Sequence, residues 1–179
     1  MLEALAVDPV QPELMLRTPS DAMHQATVLA VGPGLGESAQ AGELLARSLD
    51  RALPLIIDAD GLNLLAREPL LQRKIAVSPA PTFITPHPAE AARLLGSTTA
   101  EVQADRLSAA LLLAGRLHAY VALKGCGTII ASPDGRWFIN TTGNPGLATA
   151  GSGDVLTGML AALLAQGWPP LAALLCAVH

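Results

Sequence analysis

The sequence predicts an α/β fold with a mostly parallel central sheet and helices on both faces. Short apolar runs alternate along the chain with longer segments of helical periodicity, a pattern typical of strands that crossover helices bury on both sides. A glycine turn or a chemically active side chain follows each of the first four runs. At 179 residues the chain suffices for one α/β domain with a sizeable core. We expect a single domain over residues 1–179, because no linker or internal repeat divides it.

Six short segments are predicted to be strands. The first four are continuous apolar runs that end at a loop, as buried parallel strands do: Thr27–Val31, Pro54–Asp58, Thr82–Thr85 and Tyr120–Leu123. The last two flank Ser132-Pro-Asp-Gly135, a strong hairpin turn, and they therefore predict an antiparallel pair: Thr128–Ala131 and Trp137–Ile139.

Helices are predicted between these strands. Glu37–Asp50 and Gly61–Arg67 follow the first two strands. Pro88 suits the first turn of the next helix, because its missing N–H is not needed there. Thr99–Leu117 is predicted to be one long amphipathic helix. Its apolar face carries Leu107, Leu111 and Ala114.

Composition excludes several classes of function. Aromatic residues make up 3% of the chain, the net charge is −4, and no basic run occurs, so we expect no nucleic-acid partner. Pro169-Pro170 divides the apolar segment Val155–Val178 into two helices, each shorter than the ~20 residues that a membrane span needs. No signal-peptide pattern is present at the N-terminus, and a cytoplasmic protein is expected. Cys126 and Cys176 have neither metal-site spacing nor a disulfide framework.

The most informative segment is the glycine-rich loop Gly143–Asp154, which runs directly into an apolar helix. Free N–H groups and the positive dipole end of a helix N-terminus attract anions such as phosphate. The carboxylate of Asp154 at that place would repel phosphate, but it suits a base that takes a proton from an attacking hydroxyl. This contrast points to phosphoryl-transfer chemistry.

Four further motifs follow the parallel strands. Ligands of open α/β sheets bind outside the carboxyl ends of the strands, so we expect these motifs to converge with the Asp154 loop. They are Gly32–Gly36, Asp58 with Asp60, His87 with Glu90, and Lys124–Thr128. The last is similar to a phosphate cradle, although a plain β-turn also fits. It is not a Walker A loop, because the lysine precedes the glycines.

The other three motifs also have structural alternatives. Gly32–Gly36 lacks the spacing of a dinucleotide-binding fingerprint and also fits a tight turn. Asp58 and Asp60 suit a hydrated Mg²⁺, but Asp60 equally fits a helix cap. His87 is held between two prolines and fits a structural role. Glu90 lies in a first helical turn, where negative charge is favoured anyway.

Several motifs together resemble the ADP/ATP-dependent NAD(P)H-hydrate dehydratases, which are metabolite-repair lyases with a ribokinase-like fold. They are VGPGLG, DADGLNLLA, TPHPAEAARLLG, LKGCGTII and NTTGNPGLATAGSGDVLTGMLAALLAQG. The resemblance extends from Pro12 to His179. It implies that the terminal phosphate of the nucleotide is transferred to the ring hydroxyl of hydrated NADH or NADPH. Phosphate then leaves, and NAD(P)H is restored.

The resemblance also implies roles for individual residues. Asp154 would be the catalytic base, and the amides of Gly151, Ser152 and Gly153 would form the anion hole. The adenine nucleotide, ADP or ATP, would be bound by Lys124, Gly125, Cys126, Gly127, Thr128 and Gly153. The hydrated dinucleotide would contact Gly34, Gly36, His87 and Asp154. Mg²⁺ and water would be organised by Asp58, Asp60 and Glu90.

The sequence departs from the family pattern at both ends. An earlier strand–helix unit with a substrate loop is not matched, and a later helical segment is missing, so the domain is expected to be incomplete. Gly61 stands where the family usually has alanine. The resemblance further implies a homo-oligomer, often a tetramer. Two alternatives remain open: a kinase for a thiazole or pyrimidine alcohol on the same scaffold, and a non-catalytic nucleotide-binding fragment.

Overall fold

Six strands form one sheet in a computed structural model that describes Val10, Gln11 and residues 15–179. The strands lie side by side in chain order: β1 (Leu29–Val31), β2 (Leu55–Ile57), β3 (Thr82–Ile84), β4 (Tyr120–Leu123), β5 (Ile129–Ala131) and β6 (Trp137–Ile139). β1 to β4 pair in parallel, and β4, β5 and β6 pair antiparallel. The predicted mostly parallel sheet with a terminal hairpin is therefore confirmed.

Helices connect and cover these strands. The described residues form α1 (Pro19–Gln25), α2 (Ala39–Leu49), α3 (Asp60–Arg67), α4 (Pro69–Ala76), α5 (Pro88–Leu95), α6 (Thr99–Ala104), α7 (Arg106–Leu117), α8 (Ser152–Ala165) and α9 (Pro170–Val178). The sequence analysis did not predict α1 and α4, which both begin at a proline. The start of the family resemblance, residues 12–14, and residues 1–9, where no signal peptide is expected, lie outside the described residues.

The prediction of one long helix over Thr99–Leu117 is wrong, because the backbone breaks at Asp105. This residue has φ −144° and ψ 77°, and it ends α6 and begins α7. Its carboxylate accepts the N–H of Ser108 at 3.0 Å. A short polar side chain that binds nearby backbone N–H groups favours a helix start over a helix interior. The apolar face was predicted correctly, since Leu107, Leu111 and Ala114 all contact or belong to the core.

Two apolar layers enclose the sheet. Alternate residues of a strand point to opposite faces: Ile57 and Ile84 belong to the larger core on one face, whereas Ile56 and Phe83 belong to the smaller core on the other. Helices α8 and α9 cover the smaller core with Leu160 and other buried side chains. The strands β2 to β5 are thus largely buried on both faces, as continuous apolar runs predict, whereas β6 is exposed and only Leu29 of β1 is buried.

The hairpin and the two thiols also match expectation. Gly135 has φ +85°, and its N–H donates to the Ser132 carbonyl at 2.9 Å, which closes the turn between β5 and β6. Cys126 and Cys176 are both free and exposed. Within the described part of the chain, no helix has the length and apolar character that crossing a membrane would require.

Candidate active site

The glycine turn after β1 packs directly on the backbone that leads into α3. Gly32 has φ +134°, and a Cβ built there would lie 1.7 Å from the carbonyl oxygen of Asp58. A Cβ on Gly61 would lie 2.9 Å from the carbonyl oxygen of Val31. Both glycines therefore permit a close approach of two chain segments, and the Gly61 departure from the family pattern lies at this contact.

The remainder of that turn faces outward and is held by Asp60. The Gly36 N–H donates to the Asp60 carboxylate at 2.8 Å. Asp60 is the first residue of α3 and makes no capping bond to its own helix, whose cap position is Ala59. Gly34 and Gly36 are exposed, with φ of +66° and +72°, and a Cβ on either would meet open space. This surface is accessible to a ligand.

A buried ion pair joins three elements at the same edge of the sheet. The carboxylate of Asp58, at the end of β2, accepts Lys124 Nζ at 2.9 Å and Thr157 Oγ1 at 3.2 Å. Lys124 follows β4, and Thr157 lies in α8. The Asp58 side chain is 3% exposed and the Lys124 side chain 25%. A buried charge requires such compensation, so this contact fixes α8 against the ends of β2 and β4.

The first turn of α8 lies against that ion pair. A Cβ on Gly153 would be 3.4 Å from both Asp58 Oδ2 and Lys124 Nζ. Gly151 occupies the cap position with φ +87° and provides no side-chain cap. The Ser152 N–H donates to the Thr149 carbonyl at 3.4 Å, whereas the N–H groups of Gly151 and Gly153 have no acceptor among the described residues. Two of the three predicted anion-hole amides are thus free to bind an anion.

Asp154 occupies the same helical turn, next to Gly153 and three residues before Thr157. Its side chain is exposed, and it makes no hydrogen bond or ion pair with any residue of the described part of the chain. The loop before it, residues 141–151, is exposed throughout. The carboxylate is therefore accessible to a ligand that binds at this edge.

The Lys124–Thr128 loop connects β4 to β5 beside α8. The Lys124 N–H donates to the Pro86 carbonyl at 2.8 Å, and Thr128 Oγ1 donates to the Gly125 carbonyl at 3.1 Å. The guanidinium of Arg106, the first residue of α7, donates to carbonyl groups of the loop. The sequence analysis missed Arg106 and Thr157, because their partners are far away along the chain and no local motif marks them.

His87 and Glu90 form a reciprocal cap at the start of α5. His87 Nδ1 accepts the N–H groups of Ala89 and Glu90 at 3.1 and 3.3 Å. Glu90 accepts the His87 N–H at 2.8 Å, and its other oxygen lies 3.4 Å from His87 Nε2. Both His87 and Glu90 therefore have a structural role, as the cap of α5. The half-exposed ring of His87 can still contact a ligand.

The structure does not bring Asp58, Asp60 and Glu90 together as one metal centre. In the described residues, no group of three or more His, Cys, Asp or Glu side chains could hold a metal ion. Each of the three carboxylates instead binds a partner within the protein: Lys124 and Thr157, the Gly36 N–H, and the His87 N–H, respectively. Their individual roles toward Mg²⁺ remain predictions.

An open cavity of about 590 Å³ lies between β6 and α9. Its lining includes Asn140, Thr142 and His179, which also connect the loop after β6 to the end of α9 through the Val178 and His179 carbonyls. None of the predicted catalytic or nucleotide-binding residues lines this cavity. The cavity is therefore separate from the residues that were predicted to carry the chemistry.

Residues 2–179 match the profile of a family described as NAD(P)H-hydrate dehydratase. The "Bifunctional NAD(P)H-hydrate repair enzyme Nnr" of Thermofilum pendens is 53% identical over 145 residues, which are 78% of this chain and 26% of that protein. The "ADP-dependent (S)-NAD(P)H-hydrate dehydratase" of Neisseria meningitidis is 46% identical over 162 residues, 88% of this chain and 54% of that protein.

Solved structures agree with these relatives. An ADP/ATP-dependent NAD(P)H-hydrate dehydratase from Bacillus subtilis, co-crystallised with ATP/Mg²⁺, superposes with a TM-score of 0.81 at 32% identity, covering 96% of this chain and 61% of that one. Hydroxyethylthiazole kinase from Pyrococcus horikoshii superposes with a TM-score of 0.70 at 16% identity, which shows a shared fold alone. The chain thus spans about a quarter to a half of the length of these curated relatives. With a match over nearly its whole length, the chain belongs to the NAD(P)H-hydrate dehydratase family.

Proposed function

We propose that residues 1–179 contribute one ribokinase-like domain that restores NAD(P)H from its hydrate, using ADP or ATP. The observation that carries this proposal is the first turn of α8. There an exposed carboxylate without a partner among the described residues, Asp154, adjoins the free amides of Gly151 and Gly153. A base beside an anion hole is the arrangement that phosphoryl transfer to a hydroxyl needs.

The adenine nucleotide binds between the Lys124–Thr128 loop and the start of α8. A Cβ built on Gly153 would lie 3.4 Å from Lys124 Nζ, so the two segments are close neighbours. Lys124 keeps a quarter of its side chain exposed, which leaves its charge accessible to phosphate oxygens. The amides of Gly151, Ser152 and Gly153 then stabilise the charge on the transferring group, with Ser152 exchanging its long bond to Thr149 for the phosphate.

Mg²⁺ accompanies the nucleotide. This ion is usually held by one or two carboxylates together with substrate phosphates and water, which fits a site that lacks a group of three ligands among the described residues. Asp58 and Asp60, which directly follow β2, would be the carboxylates that hold it. When bound, the ion would neutralise part of the negative charge of the phosphates.

The hydrated dinucleotide binds across the exposed glycine turn at Gly34 and Gly36, with the half-exposed His87 ring nearby along the same edge. Asp154 accepts the proton of the ring hydroxyl as its oxygen attacks the terminal phosphorus. The bond between the terminal phosphorus and its bridging oxygen breaks as the ester forms, which leaves AMP or ADP. The ester then loses phosphate from one ring carbon and a proton from the next, and this elimination restores the C=C bond of the dihydronicotinamide. Phosphorylation helps because hydroxide is a poor leaving group and phosphate is a good one.

The decisive experiment incubates the protein with hydrated NADH, MgCl₂ and either ADP or ATP. We expect the dihydronicotinamide absorbance to recover with release of one phosphate per turnover. A stable phosphorylated product would instead establish a small-molecule kinase, and nucleotide binding without turnover would establish a non-catalytic fragment. Omitting the nucleotide is the matched control.

We further infer a cytoplasmic homo-oligomer. Helix α8 is apolar on nearly all sides, and Val155 and Met159 remain 61% and 46% exposed. Helices that are apolar all round are normally buried, so this face supports contact with a further protein surface. Light scattering of the purified protein tests the assembly, and a monomer across the micromolar range would contradict it.

A further inference from the structure

Arg106 contacts the end of β4 and the Lys124–Thr128 loop through three backbone carbonyl groups. Its Nη1 donates to the Cys126 carbonyl at 2.6 Å, and its Nη2 donates to the carbonyls of Leu123 and Lys124 at 3.1 and 3.4 Å. These are all the hydrogen bonds of the Arg106 side chain within the described residues, and its buried Nε has no partner there. The planar guanidinium thus binds a single short segment, residues 123–126.

These contacts fix the direction of the neighbouring N–H groups. In a planar trans peptide, the C=O of one residue and the N–H of the next point in opposite directions. The carbonyls of Lys124 and Cys126 point at Arg106, so the N–H groups of Gly125 and Gly127 point away from it. Neither N–H has an acceptor in the described part of the chain.

The glycines of the loop are required by this geometry. Gly125 has φ +147°, and a Cβ there would lie 2.8 Å from Arg106 Nη2. Gly127 has φ +65°, the left-handed conformation. Successive free N–H groups in a turn with a left-handed residue form a concave site for an anion. Arg106 and the two glycines therefore act together: the cation orients the carbonyls, the missing side chain of Gly125 gives the cation room, and Gly127 supplies the left-handed conformation.

We propose that Arg106 is a positioning residue. It holds the N–H groups of Gly125 and Gly127 in the orientation that binds a phosphate group of the adenine nucleotide, before the nucleotide arrives. Arg106 does not itself touch the nucleotide, since its donors are directed to the carbonyl face of the loop. Its contribution is preorganisation, because a loop already in the binding conformation loses less conformational freedom when the ligand arrives. This inference rests on the proposed function, in which this loop binds ADP or ATP.

The test compares Arg106→Gln with Arg116→Gln in the full chain, using calorimetric titration with ADP and MgCl₂. Arg116 is a matched control, because it lies in the same helix and donates to the Leu94 carbonyl at 3.3 Å and to Gln72 Oε1 at 2.8 Å, remote from the loop. We expect Arg106→Gln to raise the Kd for ADP on the order of tenfold. Arg116→Gln should lower the melting temperature but leave the Kd unchanged.

A second variant and a spectroscopic signature keep the test decisive. Arg106→Lys retains the charge but loses the fork that bridges several carbonyls, so its Kd should lie between those of the parent and Arg106→Gln. In the parent, ADP should shift the amide resonances of Gly125 and Gly127. The inference alone is overturned if folded Arg106→Gln binds ADP with the Kd of the parent. It is also overturned if ADP binds the parent without shifting the amide resonances of Gly125 and Gly127. Failure of the parent to bind ADP overturns the proposed function with it.

Discussion

At the scale of single residues, two aspartates at the same edge have opposite environments. Asp58 is buried and compensated by Lys124 and Thr157. Asp154 is exposed and has no partner among the described residues. Removing Asp58 would leave an uncompensated lysine and damage the fold, whereas removing Asp154 leaves no group unpaired. The structure therefore gives Asp58 a positioning role and leaves Asp154 available for chemistry.

Asp154→Asn tests this division directly. Asparagine keeps the shape of the side chain but cannot accept the hydroxyl proton, and loss of a general base typically lowers turnover by about 10²–10⁴-fold. The melting temperature should fall only slightly, because Asp154 has no structural partner but its charge is favourable in the first turn of α8. The Kd for nucleotide should not rise, because the carboxylate repels phosphate. The measurement is recovery of dihydronicotinamide absorbance from hydrated NADH.

The matched control for that variant is Asp50→Asn. Asp50 is an exposed carboxylate at the end of α2, where it pairs with Lys74 at 2.6 Å. Exposed ion pairs contribute little to stability, so both turnover and melting temperature should stay close to those of the parent. Parental turnover in Asp154→Asn would remove the proposed base from the mechanism.

Gly32 and Gly34 provide a second comparison within one turn. A methyl group at Gly32 collides with the Asp58 carbonyl, whereas one at Gly34 meets open space. We expect Gly32→Ala to lower the free energy of unfolding by at least about 3 kcal/mol. Gly34→Ala should cost only the strain of its positive φ, about 1 kcal/mol. Chemical denaturation measures both, and equal losses would contradict the close approach of β1 and α3.

At the scale of secondary-structure elements, local signals predict the strands better than the helix ends. The strands β2 to β5 lie within apolar runs that are fully or largely buried, so their positions were readable from hydropathy. The position of β1 was also readable from its apolar run, although only Leu29 of that strand is buried. The break at Asp105 was missed because helical periodicity continues across it, although Asp105 is a good capping residue. α1 and α4 were missed because both are short and their proline starts were not used as signals.

The candidate site shows the same limit. Glycine loops and carboxylates at the strand ends were identified, since their chemistry is visible in a few adjacent residues. Arg106 and Thr157 were not, since their contacts span 17–20 and 99 residues along the chain. Glu90 was predicted as a metal ligand, but the reciprocal cap with His87 is a local pattern that sequence alone also contains.

The cap at the start of α7 leads to a prediction about pH. The backbone N–H of Ser108 holds the pKa of Asp105 below its ordinary value of 3.8. A lowered pKa in the folded state means that the cap stabilises above pH 3.8 and loses its effect as the pH falls below that value. Asp105→Ala should therefore melt below the parent at neutral pH, and the difference should shrink in acid.

Thermal unfolding of both proteins between neutral pH and pH 3 measures this difference. A difference for Asp105→Ala that stays constant below pH 3.8 would show that the carboxylate is not the capping group. Because Arg106 directly follows this cap, Asp105→Ala should also weaken ADP binding.

At the scale of the whole molecule, one sheet separates two apolar layers of unequal size. Helices α2 to α7 cover the larger core and α8 with α9 the smaller one. The Asp58–Lys124–Thr157 contact connects the smaller layer to strand ends that also belong to the larger one. The candidate catalytic turn therefore lies on the layer with fewer buried residues, and its position depends on packing across the sheet.

This arrangement predicts that the two layers unfold together. Leu174 and Leu113 are both fully buried, in the smaller and larger layer respectively. Leucine-to-alanine changes at such sites cost about 2–5 kcal/mol, and each should shift one common transition. Leu112, which is 59% exposed in α7, should tolerate alanine with a change of about 0.5 kcal/mol or less.

Two signals distinguish joint from separate unfolding. In a Trp137→Phe background, Trp168 is the single tryptophan and reports on the connection between α8 and α9, whereas far-ultraviolet circular dichroism reports on the whole chain. Coincident transitions in all variants indicate one cooperative unit. If the fluorescence of Leu174→Ala changed under milder denaturing conditions than its circular dichroism, α8 and α9 would unfold on their own. The catalytic turn would then be lost while the larger layer stayed folded, because Asp154 lies in α8.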